Sequence, residues 1–311
     1  MSAKVWIKSI PGVMPMYRRL FPGRRKTYSL AELRRLSTAE LLALMRYESH
    51  RIEKAVYNDV LEAKRHAYLA KRDRLAEIYR ILEARGFPMD EPTVEWSRRI
   101  YDAFSNLREE FIAKLGDSPP PFDPSAALPF VEFLKSRRSV RVWAKEQPDG
   151  KTLRGVTRLM IDAARWAPNS GNRQAWRFLV ISDPAEKALL EKIKERHCTC
   201  APLLIFMGMD KRVYGVLGKD ERGLYIDAGA AAMSMVLTAE KCGLGACWNH
   251  FADDLIWSRP ANRRIYRRFA SALKIENHIA PVALLAVGMP EFLPPQPARM
   301  AIDDLLLRPI R

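Results

Sequence analysis

The residues with most chemistry to offer fall in three places. Arg137-Arg138-Ser139-Val140-Arg141 sets three guanidinium groups around a serine. Pro168-Asn169-Ser170-Gly171-Asn172-Arg173-Gln174 strings small amides and hydroxyls along a turn. Arg299 stands near the C-terminus. Arginine is a planar, permanently charged fork of donors and suits a phosphate. Serine, asparagine and glutamine suit a chain of hydroxyls. Each string also has a plain alternative: the first as a solvated helix end, the second as a routine turn. His197-Cys198-Thr199-Cys200 could suggest a metal. A structural zinc site needs four ligands, usually with a second paired cluster. No second cluster is present, so the segment reads as a loop entering a strand and no metal is expected. No Walker A string, G-x-G-x-x-G or G-x-S-x-G occurs.

The elements that must position these groups come in two styles. Ser37 to Arg85 contains no glycine or proline, and Ser37-Thr38-Ala39-Glu40 reads as a capping box. Apolar residues at helical spacing predict one long helix or two stacked ones, stopped by Gly86-Phe87-Pro88. A second helical stretch runs from about Glu91 to Leu115, before the proline-rich segment Gly116 to Pro124. Beyond it, helices are predicted from Phe130 to Ser136, Thr152 to Trp166 and Ile226 to Cys242. Short apolar runs at Arg177–Ser182, Leu203–Met209 and Val282–Gly288 read as buried strands. The helix from Ile226 is so apolar that it must be buried, in a core or against a partner.

Composition sets the outer bounds. Four cysteines exclude a disulfide scaffold and point to a reducing compartment. No apolar run is long enough to span a bilayer, and the N-terminus lacks the core of a secretory signal. A cytoplasmic location, with peripheral membrane contact as a variant, is therefore expected. The net charge of +16 is uneven. Residues 1–26 carry seven basic groups and no acid, residues 27–126 sum to −1, and residues 127–311 sum to +10. Such a balance favours anionic ligands or surfaces. The tail interleaves apolar and basic residues, which fits disorder, a partner-binding arm or an anionic membrane surface. Arg259, Arg263, Arg264, Arg267 and Arg268 make a second basic cluster on a helix face. The expected organisation is a basic tail (1–26), a helical N-terminal domain (27–116), a linker (117–126) and a C-terminal domain (127–311).

Four segments of that C-terminal domain, in order, resemble the nitroreductase family. Arg137 to Arg141 resembles R-R-S-x-R. Ala167-Pro168-Asn169-Ser170-Gly171-Asn172-Arg173-Gln174-Ala175-Trp176-Arg177-Phe178 resembles A-P-S-x-x-N-x-Q-P-W-x-F. Asp227 to Ala232 and Gly243 to Trp248 are similar to D-x-G-x-A-x and G-L-G-x-C-W. Pro281 to Pro290, followed by Arg299, looks like the closing strand and its basic residue. The resemblance implies an α+β fold, with a mixed, mostly antiparallel sheet flanked by helices, preceded by the all-helical N-terminal domain. It implies FMN as cofactor, NADH or NADPH as electron donor, and a homodimer with the flavin at its interface. Arg137 and Arg299 would hold the phosphate, with Arg138 in the same basic string and Ser139 adding a hydrogen bond. Arg141 would sit by the pyrimidine edge and favour the reduced ring. Pro168, Asn169, Ser170, Asn172 and Gln174 would line the flavin, and the apolar helix from Ile226 would be the central dimer helix.

The chain departs from the pattern in places. Asn249-His250-Phe251 stands where many members have a glycine, near where flavin N5 would lie. His250 is the candidate proton or hydrogen-bond donor to substrate there; a structural histidine is the alternative. Asn169 replaces the common serine and Ala175 the common proline. The segment from Asp210 to Tyr225 is short where many members carry covering helices, which makes the N-terminal region the natural lid. The favoured function is FMN-dependent transfer of two electrons, as hydride, between NAD(P)H and a small organic acceptor, or oxidation of a biosynthetic intermediate. The alternative is a degenerate flavin or nucleotide binder whose helical and basic regions serve assembly on a membrane or nucleic acid, of which nucleic acid is the less favoured partner.

Overall fold

The computed structural model describes residues 28–58, 60–102, 118–215, 221–251 and 256–308. The basic tail, the C-terminal part of the second predicted helical stretch and the start of the proline-rich segment lie outside these residues.

The N-terminal helices are α1 (Thr38–Tyr57), α2 (Arg65–Ala84) and α3 (Pro92–Asp102). The predicted capping box is formed: the Ser37 hydroxyl accepts from the Glu40 amide, and the Glu40 carboxylate accepts from the Ser37 amide. Of the two readings of Ser37 to Arg85, two helices is the observed one. Their apolar faces meet in a cluster that includes Leu41, Leu44, Ile52, Leu75, Ile78, Leu82 and Val94. Within it lies a buried ionic group. The Glu48 carboxylate takes Nε and Nη2 of Arg74 at 3.0 and 2.8 Å and also pairs with Lys71.

The C-terminal part carries α4 (Leu128–Ser136), α5 (Gly150–Arg165), β1 (Trp176–Ile181), α6 (Arg196–Thr199), β2 (Leu203–Asp210), α7 (Glu221–Lys241), β3 (Gly245–His250), α8 (Pro260–Ala272) and β4 (Ile279–Gly288). The strands form one antiparallel sheet in the order β1-β2-β4-β3. An isolated parallel bridge, Ser139 to Ala246, adds the chain before α5 to the outer edge of β3. The fold is thus α+β with a mostly antiparallel sheet, as expected. Because side chains alternate along a strand, the sheet has two buried faces. Ile205, Met207 and Leu285 pack beneath α5 and α7, whereas Leu204, Phe206 and Leu284 meet Phe251, Tyr266 and Phe269.

Two details differ from the expectation. The 245–250 segment carries a family motif but no strand signal in the sequence, and it forms β3. The segment at His197 to Cys200 is not a plain loop: Arg196–Thr199 is a single helical turn, closed by the Cys200 amide donating to the Arg196 carbonyl at 2.8 Å.

The edge bridge at Ser139 depends on close packing. A Cβ on Gly245 would meet Cγ2 and Cβ of fully buried Val140 at 2.5 and 2.7 Å. Gly245→Ala is expected to cost about 1–3 kcal/mol, as overpacked cores do, read as a drop in Tm. Adding Val140→Ala should recover part of the loss; strictly additive losses in the double variant would show that the contact is not the cause.

Candidate functional site

Most of the candidate residues fall into two groups, one beside β3 and one beside the first half of α7. The first is the strand-like segment at Ser139. The Val140 amide donates to the Ala246 carbonyl at 3.1 Å, which fixes the segment against β3. Arg137 Nη1 reaches Ser139 Oγ at 3.4 Å, and Arg141 Nη1 donates to the Ser139 carbonyl at 3.2 Å. Both cations act on Cys247: burial pushes its thiol up, against the downward pull of Arg141 and Arg137. Arg137 and Arg138 likewise pull on Glu240, near the C-terminal end of α7, whose carboxyl burial pushes up. Arg138 differs from its neighbours. Its Nε donates to the Pro294 carbonyl, and its Nη1 to the carbonyls of Lys135, Ser136 and Arg137. It ties off the C-terminal end of α4, whose last carbonyls lack helical partners.

The second group is the turn before β1. Gly171, Asn172 and Gln174 have φ of +64°, +52° and +54°. Left-handed backbone costs little for glycine and is tolerated by asparagine, but is strained for glutamine. The turn is pinned from several sides. Asn169 Oδ1 accepts the Gln174 amide at 3.0 Å, and Asn172 Oδ1 accepts Gln174 Nε2 at 2.9 Å. Asp227, buried in the first half of α7, accepts the Ser170 amide at 3.0 Å and the Ser170 hydroxyl at 2.9 Å, and also the Tyr214 hydroxyl. Pro168 is exposed beside this turn.

A third support was invisible in the sequence. Helix α1 packs on the same turn. Arg46 donates from Nε to the Asn172 carbonyl at 3.2 Å, from Nη2 to the Arg173 carbonyl at 2.9 Å and from Nη1 to Thr93 Oγ1 at 3.1 Å. Burial pushes its guanidinium down to about 10, partly offset by Glu91. Tyr47 lies so close that a Cβ on Gly171 would meet its ring at 2.6 Å. Arg173 is buried, donates Nη1 to the Ser170 carbonyl at 2.9 Å, and lies 5.5 and 5.0 Å from the ring centres of Tyr47 and Tyr214. No local pattern in residues 38–57 could have announced the contacts of Arg46 and Tyr47 with the turn, since those span more than a hundred positions.

His250 ends β3 with an exposed side chain, and its carbonyl accepts from Lys194. It shares a strand face with Trp248 and Ala246, the last of which packs with α5 and α7. Arg299 sits on an exposed C-terminal arm, its Nη1 on the Ala298 carbonyl. Among the described residues, neither has a hydrogen bond or ion pair to another candidate. Glu195, His197 and Cys198 bring one donor atom each within 4.8 Å of one another. That is one fewer than a structural zinc site uses, and His197 Nε2 is already 2.7 Å from Asn249 Oδ1. A cavity of about 570 Å³ beside α8, lined by Lys211, Trp257, Tyr266 and Arg267 among others, holds none of the candidate cofactor residues.

The two groups do not meet within one chain. The turn feeds β1, one outer strand; Ser139 lies outside β3, beyond the other. Four strand spacings separate them, roughly 19 Å. Helix α7 gives the same measure: Glu240 follows Asp227 by thirteen residues, about 20 Å along the axis. On its outer face α7 shows solvent Ile226, 71% exposed, and two turns further on Met233, and Trp166 after α5 is 78% exposed.

The chain thus combines an antiparallel sheet, a long apolar helix and two separate groups of basic and amide side chains. Residues 134–200 and 191–289 match the model of the Nitroreductase family, and the chain belongs to that family. A provisionally named NADH dehydrogenase/NAD(P)H nitroreductase of Methanothermobacter thermautotrophicus is 26% identical over 168 residues, 51% of this chain and 76% of the relative. A similarly named protein of Archaeoglobus fulgidus is 24% identical over 167 residues, 52% of this chain and 85% of the relative. Among solved structures, a provisionally named nitroreductase of Desulfovibrio desulfuricans in complex with FMN aligns with a TM-score of 0.48 and 24% identity, covering 61% of this chain and 99% of that one. No helix among the described residues is long and apolar enough to cross a membrane.

Proposed function

We propose that two copies pair through α7 running antiparallel, so that the Ser139 segment of one protomer meets the 169–174 turn of its partner. Each dimer then has two equal FMN sites. The observation that carries this reading is the separation of the two groups: complementary half-sites lie about 20 Å apart at opposite ends of an apolar helix face. An antiparallel pairing of that face closes the gap twice, and a two-fold axis makes the contact self-complementary.

The donor set fits FMN. Arg137, half-buried and with no ion-pair partner among the described residues, offers a fork to the phosphate, with Ser139 beside it and Arg299 brought in by the C-terminal arm. Arg141 supplies fixed positive charge for the pyrimidine edge. Pro168, Asn169, Ser170, Asn172 and Gln174 supply the wall and the polar contacts. Arg138 supports this set by holding the end of α4. FMN, when bound, accepts two electrons as hydride and passes them on. In this reading the chain binds and orients it, and His250 is the residue that would give a proton or hydrogen bond to the acceptor. The reading is of an NAD(P)H-linked oxidoreductase acting on a small organic acceptor, with residues 27–116 as a helical unit joined through the 117–126 linker.

Mixed dimers test it. Arg137→Ala and Asn172→Asp should each abolish tight FMN binding in the homodimer. In a mixed dimer of the two, one site carries both lesions and the other carries none. One tightly bound FMN per dimer, bleached by NADH or NADPH, is expected. No recovery in mixed dimers would mean that each site is built within one chain.

A further inference from the structure

We infer that Arg46 of α1 is a positioning residue for the cofactor turn, so that the N-terminal helices set how tightly this chain holds FMN. The inference rests on the FMN reading. It comes from three contacts that only the folded chain shows.

The first is a clamp. Arg46 places two donors on consecutive carbonyls, those of Asn172 and Arg173, at 3.2 and 2.9 Å. A trans peptide is planar, so fixing a carbonyl also fixes the amide on its far side. The clamp therefore sets two peptide planes in the middle of the turn. Those planes lie among the left-handed residues Gly171, Asn172 and Gln174. Such a backbone persists only where its surroundings hold it.

The second is a stop. The Tyr47 ring occupies the space a Cβ would need at Gly171, so the turn is pressed on its α1 side as well as tied. The third is electrostatic. Arg46 and Arg173 are both largely withdrawn from water at this junction, and the hydrogen bonds they make are to carbonyls and to Thr93 rather than to carboxylates. Their charge therefore acts on the turn, with Glu91 offsetting part of that of Arg46. Asp227 holds the start of the turn from α7; Arg46 holds its end from α1. The family match begins at residue 134, so this second support is contributed by a part of the chain outside the matched region.

Full-length variants distinguish positioning from plain stabilisation. Arg46→Met keeps length and apolar bulk but removes the fork. It is expected to weaken FMN binding roughly ten- to fiftyfold, the loss of two hydrogen bonds to a charged donor. Arg46→Lys, with one point charge and no fork, should recover part of that. In the FMN-free protein, amide hydrogen exchange at Asn172 to Gln174 should quicken in Arg46→Met. Ser97→Ala is the control. It removes the buried 2.7 Å hydrogen bond to Ser49, and should lower Tm while leaving FMN affinity and exchange in the turn unchanged. If the unaltered chain binds FMN and Arg46→Met binds it within twofold as tightly, the inference is overturned. It is overturned equally if Ser97→Ala weakens FMN as much as Arg46→Met does. An unaltered chain that binds no FMN at all would instead overturn the cofactor reading.

Discussion

Replacing Arg137 by alanine is expected to weaken FMN binding by roughly a hundredfold, while Arg138→Ala leaves affinity within a few-fold. The two residues are neighbours of identical type, and the sequence treats them alike. The structure does not. Arg138 gives Nε and Nη1 to four backbone carbonyls, so its loss is a loss of fold at the end of α4. Arg137 has one long contact, 3.4 Å to Ser139 Oγ. Hydrogen bonds to charged groups contribute about 1.5–3 kcal/mol, and a forked pair on a phosphate lies near the top of that range. Near 2.7 kcal/mol the loss is about a hundredfold. Arg137→Lys should fall between, since a point charge keeps attraction but not the fork. Titration of the FMN-free protein, followed by quenching of flavin fluorescence, reads all three variants. An Arg137→Ala protein that binds within threefold of the unaltered chain would remove the phosphate from this position.

The second large effect is expected at Asp227. Its carboxylate is buried and accepts the amide and hydroxyl of Ser170 together with the Tyr214 hydroxyl. Asp227→Ala takes the acceptor from a turn that already contains strained backbone. A buried donor left without a partner costs about 1–3 kcal/mol, and two are affected at Ser170 alone. A loss of about 3–4 kcal/mol in stability is expected, which is roughly 10 °C in Tm for a chain of this size. FMN binding should fall too, because the 169–174 turn loses its α7 anchor. Asp227→Asn separates the parts. It keeps an acceptor oxygen but presents an amide where the second oxygen stood, so it should retain more stability than alanine does. Equal Tm values for all three proteins would show that this carboxylate does not hold the turn.

Much of the fold is open to local reading. Ser37 and Glu40 name the start of α1 because a hydroxyl and a carboxylate three residues apart satisfy each other's amides. The strands at Trp176, Leu203 and Ile279 announce themselves because a sheet buried on both faces needs continuous apolar runs. β3 carries no such signal because Gly245, Asn249 and His250 interrupt the run.

The site divides along the same line. Residue types at Arg137 to Arg141 and Asn169 to Gln174 are written in the chain, and with them the donors that the proposed phosphorylated, hydroxyl-bearing ligand would need. Which arginine is free and which is tied was decided by tertiary contacts, since Pro294 comes to Arg138 from 156 positions away. Arg46 and Tyr47 reach the turn from a helix more than a hundred residues upstream. Local sequence records spacing within one element, while these partnerships arise only when separate elements pack. That is why the amino-acid order determined the ingredients, and the folded chain alone set their distances and their division between the two ends of α7.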